Sequence, residues 1–143
     1  MKVIIRNKKA SYEYKFIETF TAGIMLQGSE VKSLRAGKAS IAEAYCYFVE
    51  HELFIKGMSI SVHKESSYNN HDPYRDRKLL LTKKELKTLK EESKIKGLTV
   101  LATKIILTDK GLVKLEIALG KGKKLHDKRN AIKERDISRD MDQ

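Results

Sequence analysis

A single cysteine, Cys46, leaves no partner for an internal disulfide, and such sparse use points to a reducing compartment. Proline is equally rare, with Pro73 alone, and no internal repeat or low-complexity stretch is present. No apolar run approaches the ~20 residues that a membrane-spanning helix needs. Met1, Val3, Ile4 and Ile5, interrupted by Lys2 and followed by Arg6, are too few to form a secretory core. Acid is scarce beside base: 19 Asp and Glu face 30 Lys and Arg, a formal net charge of +11. What remains is a basic chain of 143 residues, 41% hydrophobic, which suffices for one packed domain.

The positive charge is unevenly placed. Met1–Lys15 carries five bases against Glu13, Tyr74–Lys96 nine against four acids, and Lys121–Arg129 five against Asp127. Glu43–Glu52 has three acids and no Lys or Arg. Clustered cations displace condensed counterions from a phosphate backbone, so a nucleic acid is the expected partner.

Period-two alternation predicts a strand from Tyr12 to Thr21, running on to Leu26 with a bend or bulge at Gly23. A short helix is expected at Glu30–Arg35, with Ser29 as N-cap and Gly37 as its stop. Ala44–Glu50 and Leu53–Met58 predict a hairpin. Ser59–Asp76 is polar and reads as a long exposed loop. Thr82-Lys83-Lys84-Glu85 is a capping box that opens a helix ended by Gly97, with Leu86 and Leu89 as its apolar stripe. Leu98–Leu107 and Leu112–Leu119 predict a second hairpin, with Val113, Leu115, Ile117 and Leu119 on one face. Strands broken by two helices suggest a small antiparallel barrel with attached helices, and an open α+β sandwich fits the same pattern. Residues 1–122 form the expected body. Residues 123–143 read as a charged tail that orders on its partner.

Catalytic and metal signatures are weak. Four histidines (His51, His63, His71, His126) lack ligand spacing, so no metal or other cofactor is expected. His71-Asp72 and His126-Asp127 are sequence neighbours and read as surface pairs, although a small nuclease could be built on either histidine. Gly120-Lys121-Gly122-Lys123 is too short for a phosphate loop. Cys46 reads as a packing residue within a strand.

Four motifs stand in a particular order: Asn7-Lys8-Lys9-Ala10; Gly28-Ser29-Glu30-Val31-Lys32-Ser33-Leu34-Arg35-Ala36-Gly37-Lys38; Asp72-Pro73 with Arg75 and Arg77-Lys78-Leu79-Leu80-Leu81; and Gly120-Lys121-Gly122-Lys123-Lys124-Leu125-His126-Asp127-Lys128-Arg129 leading to Ile132-Lys133-Glu134-Arg135. In this order, over Asn7 to Arg135, the sequence resembles the SsrA-binding protein family, SmpB. That resemblance implies a mainly β fold, a closed antiparallel barrel of the oligonucleotide-binding type flanked by helices, and no enzymatic activity. It implies a cytoplasmic adaptor of trans-translation that binds the tRNA-like domain of transfer-messenger RNA (tmRNA). The adaptor would deliver alanyl-tmRNA with elongation factor Tu to stalled 70S ribosomes and send its tail into the empty mRNA channel. A general single-strand RNA binder on the same barrel is the alternative.

The resemblance also suggests roles for individual residues. Glu30 would accept hydrogen bonds from base donors, or serve only as a helix-dipole acid. Asn7 would read an unpaired loop base, or shape a turn. Tyr14 would stack on a base, or pack. Lys8, Lys9, Lys32, Arg35, Lys121, Lys123 and Lys124 are assigned to phosphates. Leu89 matches a position on the RNA-facing helix, although its spacing from Leu86 suits the core. In the tail, Asp127, Lys128, Arg129, Lys133 and Arg135 would meet ribosomal RNA, with Ile132, Ile137 and Met141 as the apolar face of an induced helix. Ser11-Tyr12 departs from the family's usual basic residue and His. Ile137 holds a place where Trp is common, and a tail of shorter reach is expected.

Overall fold

The structure is a computed structural model that describes residues 1–62 and 71–123. Lys124 and every tail residue named above, Asp127, Lys128, Arg129, Ile132, Lys133, Arg135, Ile137 and Met141, lie outside the described residues, as do His63 and His126.

The chain runs β1 (Lys2–Arg6), α1 (Lys8–Glu13), β2 (Tyr14–Ile24), α2 (Gly28–Arg35), β3 (Ala39–Ser40), β4 (Tyr45–Val49), β5 (Glu52–Lys56), β6 (Ser59–Ile60), β7 (Arg77–Leu80), α3 (Lys83–Lys96), β8 (Thr99–Leu107) and β9 (Val113–Gly122). The main sheet has the order β1-β8-β4-β5-β7-β2-β9, and β8 also pairs with β9. That last pairing closes six strands into an antiparallel ring, with β1 added outside on β8. Closure excludes the open sandwich. A two-stranded patch, β3–β6, lies beside the ring.

Alternation builds the interior. Leu53 and Ile55 on β5, and Leu115, Ile117 and Leu119 on β9, are buried at every second position. On β8, Val100 and Ala102 belong to the core on one phase and Ile105 on the other, because the register shifts between Ala102 and Lys104. An irregularity in β2 between Phe16 and Glu18 does the same work: Phe20, Ala22 and Ile24 join the core, and Tyr14 and Phe16 do not. Leu34 of α2 and Leu89 of α3 are fully buried in that core. The capping box of α3 is present, with Thr82 Oγ1 accepting from Glu85 N at 3.1 Å and Gly97 ending the helix at φ +64°.

Several boundaries differ from expectation. Tyr12 lies in α1 rather than in a strand, because Asn7 caps a helical turn there. The bulge of β2 falls near Ile17, not at Gly23, which continues the strand opposite both Leu80 and Lys114. Helix α2 begins at Gly28 with Gln27 as N-cap, and the Ser29 hydroxyl instead bonds His71. Ser59–Asp76 is not simply an exposed loop, since β6 pairs with β3 and His71 is buried. Strands β1, β3, β6 and β7 are short and depend on neighbours distant in sequence.

Candidate nucleic-acid interface

Two basic groups flank the β2–β9 ladder. At one end, Lys15 is paired directly with Lys121, and Tyr14 with Gly122. Beyond them Lys123 N donates to Glu13 O at 2.8 Å, and Lys123 Nζ donates to Ser11 O at 3.1 Å. Helix α1 is thereby tied to the end of β9, and it carries exposed Lys8 and Lys9. Lys9 is partly spent on an ion pair with Glu43. At the other end of the ladder Gly23 faces Lys114, and the β8–β9 turn meets α2 through Arg35 Nη2 donating to Gly111 O at 2.8 Å. Exposed Lys32 shares that helix. Lys121 stands seven residue steps beyond Lys114 on β9, roughly 23 Å of extended strand. The described residues assigned together to phosphates therefore form two groups: Lys8, Lys9, Lys121 and Lys123 at one end, beside Lys15, and Lys32 and Arg35 at the other. Both can hold phosphate, and neither carries base information by itself.

Glu30 and Asn7 occupy different surroundings from those a base reader needs. Glu30 has no exposed surface. Its Oε1 accepts from Gln27 N at 2.7 Å and Arg75 Nη2 at 2.6 Å, and its Oε2 accepts from Arg77 Nε at 2.6 Å and Arg75 Nε at 3.1 Å. Burial alone would raise the Glu30 carboxyl. The bonds from Arg75, Gln27 N and Arg77 outweigh it and hold the group below its ordinary value. Burial pulls Arg77 downward, against the Glu30 carboxylate that supports its charge. Arg77 also donates to the carbonyls of Met58, Arg75, Asp72 and Pro73, so one guanidinium gathers the approach to β7 around α2. In this state every Glu30 oxygen is engaged, and its evident work is to join α2 to Arg75 and Arg77.

Asn7 is similarly committed. Its Nδ2 donates to Ile41 O at 2.7 Å and Ala102 O at 2.8 Å, while Oδ1 accepts from Ala10 N at 3.0 Å. The side chain caps α1 and ties it to two other segments while 5% exposed. Leu89 is a core residue of α3. Tyr14 is half-buried beside Gly120, where an added Cβ would approach Tyr14 Cβ at 3.3 Å and Leu101 Cδ2 at 2.7 Å. Cys46 is buried, and burial pushes its thiol upward, away from nucleophilic reactivity.

Arg75 is a site residue that sequence reasoning passes over. Its side chain is 28% exposed, and bonds from the guanidinium to Glu30 and to Met25 O hold its orientation. Forty-five residues separate Arg75 from Glu30, so no local pattern announces the pair.

Comparison with known proteins now decides the family. The SmpB protein family matches residues 4–143. The chain belongs to the SmpB family. The SsrA-binding protein of Phocaeicola vulgatus is 53% identical over 138 residues, covering 96% of this chain and 92% of that one. The SsrA-binding protein of Cytophaga hutchinsonii is 55% identical over 139 residues, covering 97% and 91%. A solved structure described as "tmRNA-SmpB: a journey to the center of the bacterial ribosome" superposes with a TM-score of 0.70 at 41% identity, covering 83% of each chain. The family match reaches across the basic edge and through residues 124–143.

Proposed function

We propose that this protein is a tmRNA-binding adaptor of trans-translation that acts on stalled ribosomes in the cytoplasm. The observation that carries the reading is the 41% identity, over 83% of both chains, to a protein solved with tmRNA and the ribosome. The basic edge supports it. Lys15 and Lys121 are paired and exposed, with exposed Lys123 and Lys8 of α1 at the same end, a surface suited to the phosphates of a folded RNA. On this reading the ring is a barrel of the oligonucleotide-binding type. Residues 1–122 hold the tRNA-like domain, with Tyr14 at the rim of the same edge.

Residues 123–143 then serve as the tail for the empty mRNA channel. There Asp127, Lys128, Arg129, Lys133 and Arg135 face ribosomal RNA, and Ile132, Ile137 and Met141 form an apolar stripe. The protein contributes no chemistry of its own: alanine arrives on the RNA, carried with elongation factor Tu. No helix among the described residues is long and apolar enough to cross a membrane.

The test compares binding to the tRNA-like domain with binding to an unstructured RNA of equal length at equal salt. A preference of 100-fold or more, about 2.7 kcal/mol, is expected for the folded RNA. Equal affinity would assign the protein to general single-strand binding instead.

A further inference from the structure

The flank of α3 and the turn of the β4–β5 hairpin enclose a groove of about 580 Å3. Its apolar part comes from Phe48 and Leu86, both half-buried. Lys83, Lys87 and Lys90 line the same groove at helical spacing, covering about 10 Å of one face. Lys90 Nζ donates to Glu50 O at 2.7 Å and stands 5.9 Å from the Phe48 ring centroid. Glu50 has φ +59°, rare for a residue with a side chain, and this bond pins its turn against α3. Glu91 is the one carboxylate among the lining residues, and it lies 4.0 Å from Lys87. Lys83 has no ion-pair partner among the described residues.

The lining asks for an occupant with a flat apolar face and several negative charges spaced along it. Unpaired nucleotides have both: the base meets the phenyl ring and leucine, and the flanking phosphates meet the lysines. Position narrows the source. In the ring order, β4 and β5 lie across from the β2–β9 ladder, so the groove and the basic edge stand on opposite sides of the ring. Helix α3 leads through Gly97 into Thr99, opposite Gly120, so it sits at the end of the ring where β9 finishes. The chain leaves the ring there at Lys123.

We propose that the α3–hairpin groove is a second RNA subsite, which takes an unpaired nucleotide of ribosomal RNA on Phe48 and Leu86 and its phosphates on Lys83, Lys87 and Lys90. This inference rests on the functional reading above, in which the chain that follows β9 at this end serves the ribosome.

The experiment uses the full chain, tmRNA and 70S ribosomes stalled on a truncated message. The double variant Lys83→Glu with Lys87→Glu changes only the exposed helix face. It is expected to weaken ribosome binding 10-fold or more and to flatten its salt dependence. Phe48→Leu keeps apolar bulk, removes the ring, and is expected to cost about 5- to 100-fold. Both should bind the isolated tRNA-like domain within twofold of the parent, and the lysine variant should keep the parent's melting temperature. A photo-crosslinker at exposed His51 should label ribosomal RNA. Labelling of a ribosomal protein, of tmRNA, or of residues 124–143 overturns the assignment, as does ribosome affinity indifferent to the variants. Failure of the parent protein itself to bind tmRNA or ribosomes would instead overturn the functional reading, and this subsite with it.

Discussion

Glu30 shows how one carboxylate can organise an end of the molecule. Four donors converge on it from Gln27, Arg75 and Arg77, and its desolvation is offset only while all of them stay in place. Glu30→Ala strands Arg77 in the interior and should cost about 3–5 kcal/mol of stability, read from urea unfolding. A loss below 1 kcal/mol would mean that the arginines find other partners. Because the folded carboxyl is held below its unfolded value of 4.5, its contribution is complete above that pH and disappears as pH falls through the folded value. The stability gap between the parent and Glu30→Gln should therefore narrow on going from pH 7 to pH 3. At Gly57, φ is +83° and an added Cβ would stand 2.7 Å from Glu43 O. Gly57→Ala combines a left-handed backbone with a backbone clash, and should lose more than about 1–3 kcal/mol in the same assay.

Among the elements, α1 depends most on distant neighbours. It has six residues, too few to persist alone in water, and Asn7 supplies both its cap and its bonds to Ile41 and Ala102. Asn7→Ala should cost about 1–3 kcal/mol, because a cap is lost and two buried carbonyls lose their donor. Its effect on RNA affinity should follow from the displacement of Lys8 and Lys9, so Asn7→Asp, which keeps the cap acceptor, should not restore the body. Thermal melts of both variants check this. Helix α3 contrasts with α1: its capping box, Leu86–Leu89 stripe and terminal Gly97 are all local, and they place it correctly from sequence. The strands that sequence reading missed, β1, β3, β6 and β7, have two to five residues each. So short a run carries too little alternation to stand out, and only pairing with β8, β3, β5 or β2 makes it a strand.

For the whole molecule, charge and tail are separable. Binding of the tRNA-like domain should weaken linearly in log salt, and Lys121→Ala with Lys123→Ala should reduce that slope by about 1.4–1.8 in magnitude, as two lost phosphate contacts require. An unchanged slope would remove the β9 end from the RNA interface. A chain ending at Lys123 should keep its melting temperature and nearly all of its RNA affinity while failing to tag proteins from truncated messages. Loss of RNA affinity in that chain would put the tail inside the RNA site.

Taken alone, the sequence determined a basic, mainly β body with two hairpins, a capped helix and clustered positive charge, because periodicity, capping residues and charge clusters are local properties. It also carried the family, through motifs whose order survives without knowledge of the fold. Ring closure through β4–β8 and β2–β9, the division of Lys8, Lys9, Lys121 and Lys123 from Lys32 and Arg35, and the burial of Glu30 and Asn7 were decided only in three dimensions. The reason is range. Glu30 and its arginines are 45 and 47 residues apart, and Asn7 and Ala102 are 95 apart. A side chain that looks free to greet a ligand is claimed by partners that only the folded chain brings within hydrogen-bonding distance.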